Sequence, residues 1–261
     1  MDGYTVVSYE IVDGIALVGI DRPESFNAIN SQVLLETARL FKQLADDPEV
    51  KAVVLGRGNE KFTAAGADIR ELVDMSPTEA KEFINLVHDS VYSILNMPKP
   101  TVAAISGLTL GGGLETTLAC DIRIAADNAT LGLPEINLGV VPGGGGTQFL
   151  SRLIGQAKAK ELILTGEMIN AQTALNIGLV NKVVPFENLM EEAQKMARKL
   201  SRKPPAAVKA AKELINTSYD TEIATGLIKE KNYFSSLFAT NDQKEGMVAF
   251  MENRRAVFTG K

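Results

Sequence analysis

Hydrophobic and polar positions along this chain follow two periods, and the places where one gives way to the other mark its elements. Val6 to Glu10 and Ile15 to Ile20 are β-type runs joined at Asp13-Gly14, a pair that tolerates positive φ, so the pattern predicts an opening hairpin. From Asn30 or Ser31 the period lengthens, and Val33, Leu34, Phe41 and Leu44 form one apolar stripe that stops near Asp46-Asp47-Pro48. A cap, a stripe and a stop together predict a helix. Ala52 to Leu55 is a short unbroken apolar run, as in a strand buried on both faces. Ala80 to Leu95 is amphipathic at helical spacing, and Pro98 and Pro100 then punctuate entry to the apolar run Thr101 to Ile105. Asp121 to Ala125 and Asn181 to Pro185 read as further short strands, and from Leu189 onward the pattern is almost entirely helical. The expected organisation is a core over residues 1–194 followed by a helical region over 195–261. Strand, strand, helix units recur loosely, without the fixed period of a solenoid.

The stretch around which the rest is arranged is Ile105-Ser-Gly-Leu-Thr-Leu-Gly-Gly-Gly-Leu-Glu115. A strand feeds three glycines without side chains, so the main chain of Gly111 to Gly113 can approach a bound group closely. Leu114, Leu118 and Ala119 then place a helix start at the bend, with Glu115 in its first turn. Unpaired amide hydrogens and partial positive charge at a helix start suit an oxygen that gains negative charge during a reaction. Tight packing of the glycines, with Glu115 complementing the helix dipole, accounts for the same residues without chemistry. Twenty residues on stands Leu133-Pro-Glu135. Burial among Leu133, Pro134, Ile136 and Leu138 would raise the pKa of Glu135 and make it a proton donor. Two carboxylates at glycine-rich bends suit paired acid and base work, although a glutamate after proline is more often a solvated loop residue.

Composition narrows the possibilities. The chain has 261 residues, 45% of them hydrophobic and 23% charged, with a formal net charge of -5, which makes nucleic acid or an anionic membrane a poor main partner. With one cysteine, Cys120, and one histidine, His88, neither a disulfide framework nor a His/Cys metal cluster is available, and no metal is expected. The start, Met1-Asp-Gly-Tyr-Thr, has no basic flank or apolar signal core, and the most apolar window, Val102 to Leu114, is too short for a membrane span. A cytoplasmic protein is expected. The second glycine cluster, Gly143 to Gly146, lacks the lysine of a P-loop, and no aligned G-x-G-x-x-G occurs there or at Gly111 to Gly113. His88, mid-pattern in an amphipathic helix, reads as structural rather than as the base of a Ser-His-Asp hydrolase. Cys120 reads as a buried small hydrophobe, and Asp68 as a helix cap. Arg22, Lys61 and Arg70 are candidates for phosphate contacts.

Taken in order, these residues resemble the enoyl-CoA hydratase/isomerase, or crotonase, superfamily, and its hydratases in particular. The matching motifs run nearly end to end: Arg22-Pro with Asn27-Ala28, Ala64-Ala-Gly-Ala-Asp-Ile69, Gly111-Gly-Gly-Leu-Glu115, Cys120-Asp121, Pro134-Glu135 with Gly139, Pro142-Gly143 with Gly145-Gly-Thr-Gln148, Gly178-Leu-Val180 and the Phe258-Thr-Gly-Lys261 tail. The resemblance implies an α/β fold: a spiral of ββα units with a C-terminal helical trimerisation region, assembled as a homohexamer, a dimer of trimers. It implies an acyl-CoA substrate, no cofactor beyond the coenzyme A that is part of the substrate, and an oxyanion hole from the amides of Ala67 and Gly112. Ala28 would lie near the adenine, while Ala65 and the segment Ala67, Asp68, Ile69 and Arg70 would hold the coenzyme A moiety. Glu115 would activate water for attack at the β-carbon and Glu135 would exchange the proton at the α-carbon. An isomerase would need only one carboxylate, and a non-catalytic RNA-binding or assembly homologue would need neither. Phe149, Thr63 and Leu133 depart from common family residues, and Leu133 is expected to make the surroundings of Glu135 more apolar.

Overall fold

The predicted hairpin is present in the computed structural model, which describes residues 3–261. Met1 and Asp2, part of the start in which no targeting signal is expected, lie outside the described residues. Strand β1 (Val7–Val12) pairs antiparallel with β2 (Ile15–Ile20) across Asp13-Gly14. It continues past Glu10 because Ile11 and Val12, although exposed, keep their ladder partners. Helix α1 (Ser31–Asp46) starts at Asn30, whose side chain accepts from the Val33 N–H at 3.0 Å. There follow β3 (Ala52–Leu55), β4 (Phe62–Ala64), the short α2 (Ile69–Leu72) and α3 (Pro77–Leu95). The last begins ahead of its apolar stripe because Ser76 and Glu79 form a reciprocal capping box with Pro77 between them.

The chain continues with β5 (Thr101–Ile105), β6 (Leu108–Leu110), α4 (Gly112–Leu118), β7 (Ile122–Ala126), β8 (Thr130–Gly132), α5 (Gly146–Ile154) and α6 (Gln156–Thr165). The remaining elements are β9 (Ile169–Asn170), α7 (Ala171–Asn176), β10 (Lys182–Val184), α8 (Leu189–Leu200), α9 (Pro205–Asn216), α10 (Ile223–Leu237) and α11 (Asn241–Met251). Two sheets result, in the orders β1-β2-β3-β5-β7-β10 and β4-β6-β8-β9. From β2 to β10 the larger sheet is parallel, as is β4-β6-β8 in the smaller one. In each of the pairs β3/β4, β5/β6 and β7/β8 the first strand joins the larger sheet and the second bends away into the smaller, which makes the repeat a spiral. At the β5/β6 bend Gly107 has φ +53°, and a Cβ there would stand 2.2 Å from the Lys61 carbonyl carbon, so no other residue fits.

Burial on both faces explains the unbroken apolar strands. Ala16, Val18, Val53, Leu55, Ala103 and Ile105 pack into the core that includes α1 and α3. Their alternates Ile15, Leu17, Val54, Val102 and Ala104 pack against Leu189, Ala193 and Ala197 of α8. The divide expected between residues 194 and 195 therefore falls inside a continuous helix whose two halves cover the same sheet face. Beyond it, α9 to α11 bury few side chains, and the ion pair between Lys212 and Asp121 at 2.7 Å ties α9 to the core. Among the described residues no helix is long and apolar enough to cross a membrane.

Candidate active site

The Gly111–Glu115 bend is built as its pattern predicts. Gly111 has φ +50° and donates its N–H to the Gly132 carbonyl at 2.9 Å, and α4 begins at the next residue. Gly112, as first residue of that helix, has an N–H with no carbonyl a turn behind it inside the helix. Glu115 in the first turn is 3% exposed. Its Oε1 accepts from the N–H groups of Gly144 and Gly146 at 2.8 and 2.7 Å. The second glycine cluster is therefore a clamp on Glu115. A Cβ on Gly144 would stand 2.7 Å from Oε2 of that carboxylate, which is the physical reason for a glycine. Nothing in the spacing pairs the two clusters in the sequence; the only signal is two side-chain-free runs beside one acid.

Glu135 reaches the same bend from a 3-10 turn, Pro134–Leu138. Its Oε1 would stand 3.1 Å from a Cβ on Gly111, and its Oε2 is buried with no hydrogen-bond partner. Ile136 and Leu138, expected to bury it, are instead exposed. A 3-10 turn spreads successive side chains too widely for all of them to face inward. Leu133 is fully buried, as its apolar character requires.

Both acids are harder to ionise than free glutamate. Burial pushes Glu115 up to about 7; the Gly146 N–H pulls against it, the Glu135 charge adds to it, and the Gly144 N–H opposes it. Burial also raises Glu135. The two carboxyls thus share one low-dielectric region, where proton affinity is set by desolvation and mutual repulsion.

The segments around Ala28 and Ala65 are laced together beside this pair. Ala65 N–H donates to Phe26 O at 3.1 Å, Ile29 N–H to Gly66 O at 2.8 Å and Asp68 N–H to Ile29 O at 2.8 Å. In this parallel bridge between Ile29 and Ala67, the residues flanking Ala67 make the bonds, and its own N–H turns away from Ile29. Asp68 caps α2 and is held at about 2, chiefly by the Arg70 guanidinium and also by Arg22, against its burial. Ile69 and Arg70 are exposed on the following turn. Arg22 donates to Ala28 O at 2.5 Å and to Asp68 at 3.1 Å, so it fastens this loop and is not a free phosphate donor. Lys61 is exposed, and its carbonyl accepts from Leu108. Thr63 bonds to both main-chain groups of Ser106, and the Phe149 ring lies over Gly145. Cys120 is buried and its thiol is pushed up to about 12 by that burial, which makes it inert. His88, remote from the bends in sequence, in fact reaches the second glycine cluster, with Nε2 at 2.9 Å from Gly143 O.

A family model described as enoyl-CoA hydratase/isomerase matches residues 10–261. The chain belongs to the enoyl-CoA hydratase/isomerase family. It is 45% identical to a short-chain-enoyl-CoA hydratase of Clostridium acetobutylicum over 92% of each chain. It is 42% identical to a crotonyl-CoA hydratase of Syntrophomonas wolfei over 99% of each. Among solved structures, an enoyl-CoA hydratase from Bacillus anthracis superposes with a TM-score of 0.94 at 37% identity, covering 98% of this chain and 100% of that one. The spiral α/β architecture with C-terminal helices, expected from the motifs, is thus the fold this family shares.

Proposed function

We propose that this family member is an enoyl-CoA hydratase, a hydro-lyase that reversibly adds water to a trans-2-enoyl-CoA of short or medium chain to give the 3-hydroxyacyl-CoA. The observation that carries the reading is the pair of glutamates, both with raised proton affinity, converging on one glycine bend. With Oε1 of Glu115 engaged by two main-chain donors, Oε2 remains to orient a water. The water oxygen bonds to the β-carbon and its proton passes to Glu115. Glu135 delivers its proton to the α-carbon, so the pair exchanges its protonation states and the net charge is unchanged. The amides of Ala67 and Gly112 receive the thioester oxygen as the enolate forms, an interaction whose loss typically costs about 3–4 kcal/mol of barrier. Ala28, Ala65, Asp68, Ile69 and Arg70 face the coenzyme A moiety, which arrives with the substrate; no other cofactor takes part.

The same reading includes a homohexamer, a dimer of trimers, and a place in cytoplasmic fatty-acid or related acyl-CoA oxidation. Supporting assembly, Ile223, Leu227, Ile228 and Phe234 on α10 and Phe250 on α11 are exposed apolar side chains, more than a solitary helical face leaves in water. Light scattering on the purified protein should give six times the chain mass; a monomer would refute this part. For the activity, mixing the protein with crotonyl-CoA should abolish the conjugated enoyl-thioester absorbance. No turnover with enoyl-CoAs of any length would overturn the reading, and double-bond migration in a 3-enoyl-CoA without hydration would make the protein an isomerase.

A further inference from the structure

Gly143 and Gly144 share one peptide group, and both of its ends are engaged by side chains. The carbonyl end, on Gly143, meets Nε2 of His88 at 2.9 Å. The N–H end, on Gly144, donates to Oε1 of Glu115 at 2.8 Å. A carbonyl oxygen only accepts, so the contact requires the hydrogen on Nε2. A donor at the carbonyl polarises the peptide and strengthens its N–H in turn. Among the described residues, His88 and Glu115 are the only side chains hydrogen-bonded to Gly143–Gly146.

We propose that His88 is a positioning residue for hydration: it fixes the Gly143–Gly144 peptide so that Glu115 is held by Oε1 and presents Oε2 to water. The inference rests on the role given to Glu115 above. The supporting helix is well placed for this task. Ile84 and Val87 of α3 line the loop, since a Cβ on Gly143 would stand 2.6 Å from Ile84 Cδ1 and one on Gly144 3.0 Å from Val87 Cγ1. Phe83, Val87, Val91 and Ile94 anchor the helix in the core. Tyr92, one turn on, meets the imidazole edge-on at 6.2 Å. Facing Glu115 itself, the 3-10 turn brings Glu135, while the glycine loop and the start of α5 bring main-chain amides. His88 therefore acts on Glu115 through one peptide and not by direct contact.

The test compares His88→Ala and His88→Gln with the wild type on crotonyl-CoA. Glutamine places a neutral N–H donor near the position of Nε2. The alanine variant should lose about tenfold in kcat, the scale of one hydrogen bond, with KM within about twofold. The acid limb of its pH profile should move to higher pH, because a carboxylate with a weaker donor is harder to ionise. The glutamine variant should recover most of both. An unmoved kcat and acid limb in the alanine variant overturns the proposal, as does a loss that glutamine fails to rescue. A fall in kcat that tracks lowered thermal stability with an unmoved acid limb shows a merely structural histidine and also overturns it. An inactive wild type sinks the hydratase reading, and this inference with it; an active wild type with indifferent His88 variants sinks this inference alone.

Discussion

Glu36 and Glu115 are glutamates on helices of one chain, 2% and 3% exposed, and the protein treats them in opposite ways. Glu36 sits in the first half of α1, where both oxygens are saturated. The Thr5 hydroxyl and Gln32 amide donate to Oε1, and the N–H groups of Val6 and Val7 donate to Oε2 at 2.9 Å. Burial works against its charge, yet the Gln32, Val6 and Thr5 donors prevail and hold the carboxyl at about 2. Glu115 lies deeper, and burial pushes it up to about 7; it has two donors on one oxygen only and a second carboxyl for a neighbour. Burial alone therefore does not make an acid reactive. What separates the two carboxyls here is how deep each lies beneath the surface and whether donors satisfy both of its oxygens.

The largest expected effect tests the role proposed for the raised carboxyls. Glu135→Gln should reduce turnover of crotonyl-CoA by about three decades while acyl-CoA still binds, because the amide keeps shape but carries no transferable proton. Surviving activity in a steady-state assay would remove Glu135 from its role. Next comes the anchor. Glu36→Gln replaces an acceptor-only group by one that must point a donor at donors, and should destabilise the fold by about 3 kcal/mol in denaturant titration at pH 7. Because the folded pKa is depressed from 4.5 to about 2, this stability is present above pH 4.5 and lost as pH falls through 2. A variant as stable as the wild type at neutral pH would show that the donors around residue 36 are not doing what their geometry implies.

Gly144→Ala acts on the clamp: its Cβ would meet Oε2 of Glu115 at 2.7 Å and Val87 at 3.0 Å. Turnover should fall by about two decades through displacement of the carboxylate, with secondary structure retained by circular dichroism. Unchanged kinetics would mean that the loop moves freely. The smallest effect completes the comparison. The folded pKa of Glu115 lies above its free value of 4.5, at about 7, so its contribution to stability is intact below pH 4.5 and lost as pH rises through 7. Glu115→Gln removes that penalty, and above pH 8 thermal unfolding should show it about 1–2 kcal/mol more stable than the wild type. Equal or lower stability at that pH would argue that the charged form is as well solvated as Glu36. Glu36→Gln and Glu115→Gln should therefore move stability in opposite directions.

Much of this was readable along the chain, for reasons that differ by element. The hairpin turn, the Asn30 cap and the α4 start depend on residues within a few positions of one another, so local pattern is enough. The ladder registers and the switch of alternate strands between two sheets depend on bends such as Gly107, whose necessity shows only against the Lys61 carbonyl. At the site, residue chemistry singled out Glu115 and Glu135 but not the Gly144 and Gly146 donors, which lie 29 and 31 residues from the acid they hold. His88 reads as structural from its place mid-pattern in an amphipathic helix, because only the fold brings α3 beside Gly143, 55 residues away. Arg22 reads as a candidate phosphate ligand in the sequence, and only the fold joins it to its partners, Ala28 O and Asp68. The exposure of Ile136 and Leu138 followed from a 3-10 turn where an apolar cluster had been expected.

By itself the sequence determined the opening hairpin, the long helices α1 and α3, the α/β class and the family, and it singled out Glu115 and Glu135 as candidate acids, since each rests on residue type, short spacing or an ordered set of motifs. Only the tertiary structure decided how those acids ionise. Proton affinity depends on which distant amides and charges surround a buried carboxyl, and a linear pattern carries no record of that three-dimensional shell.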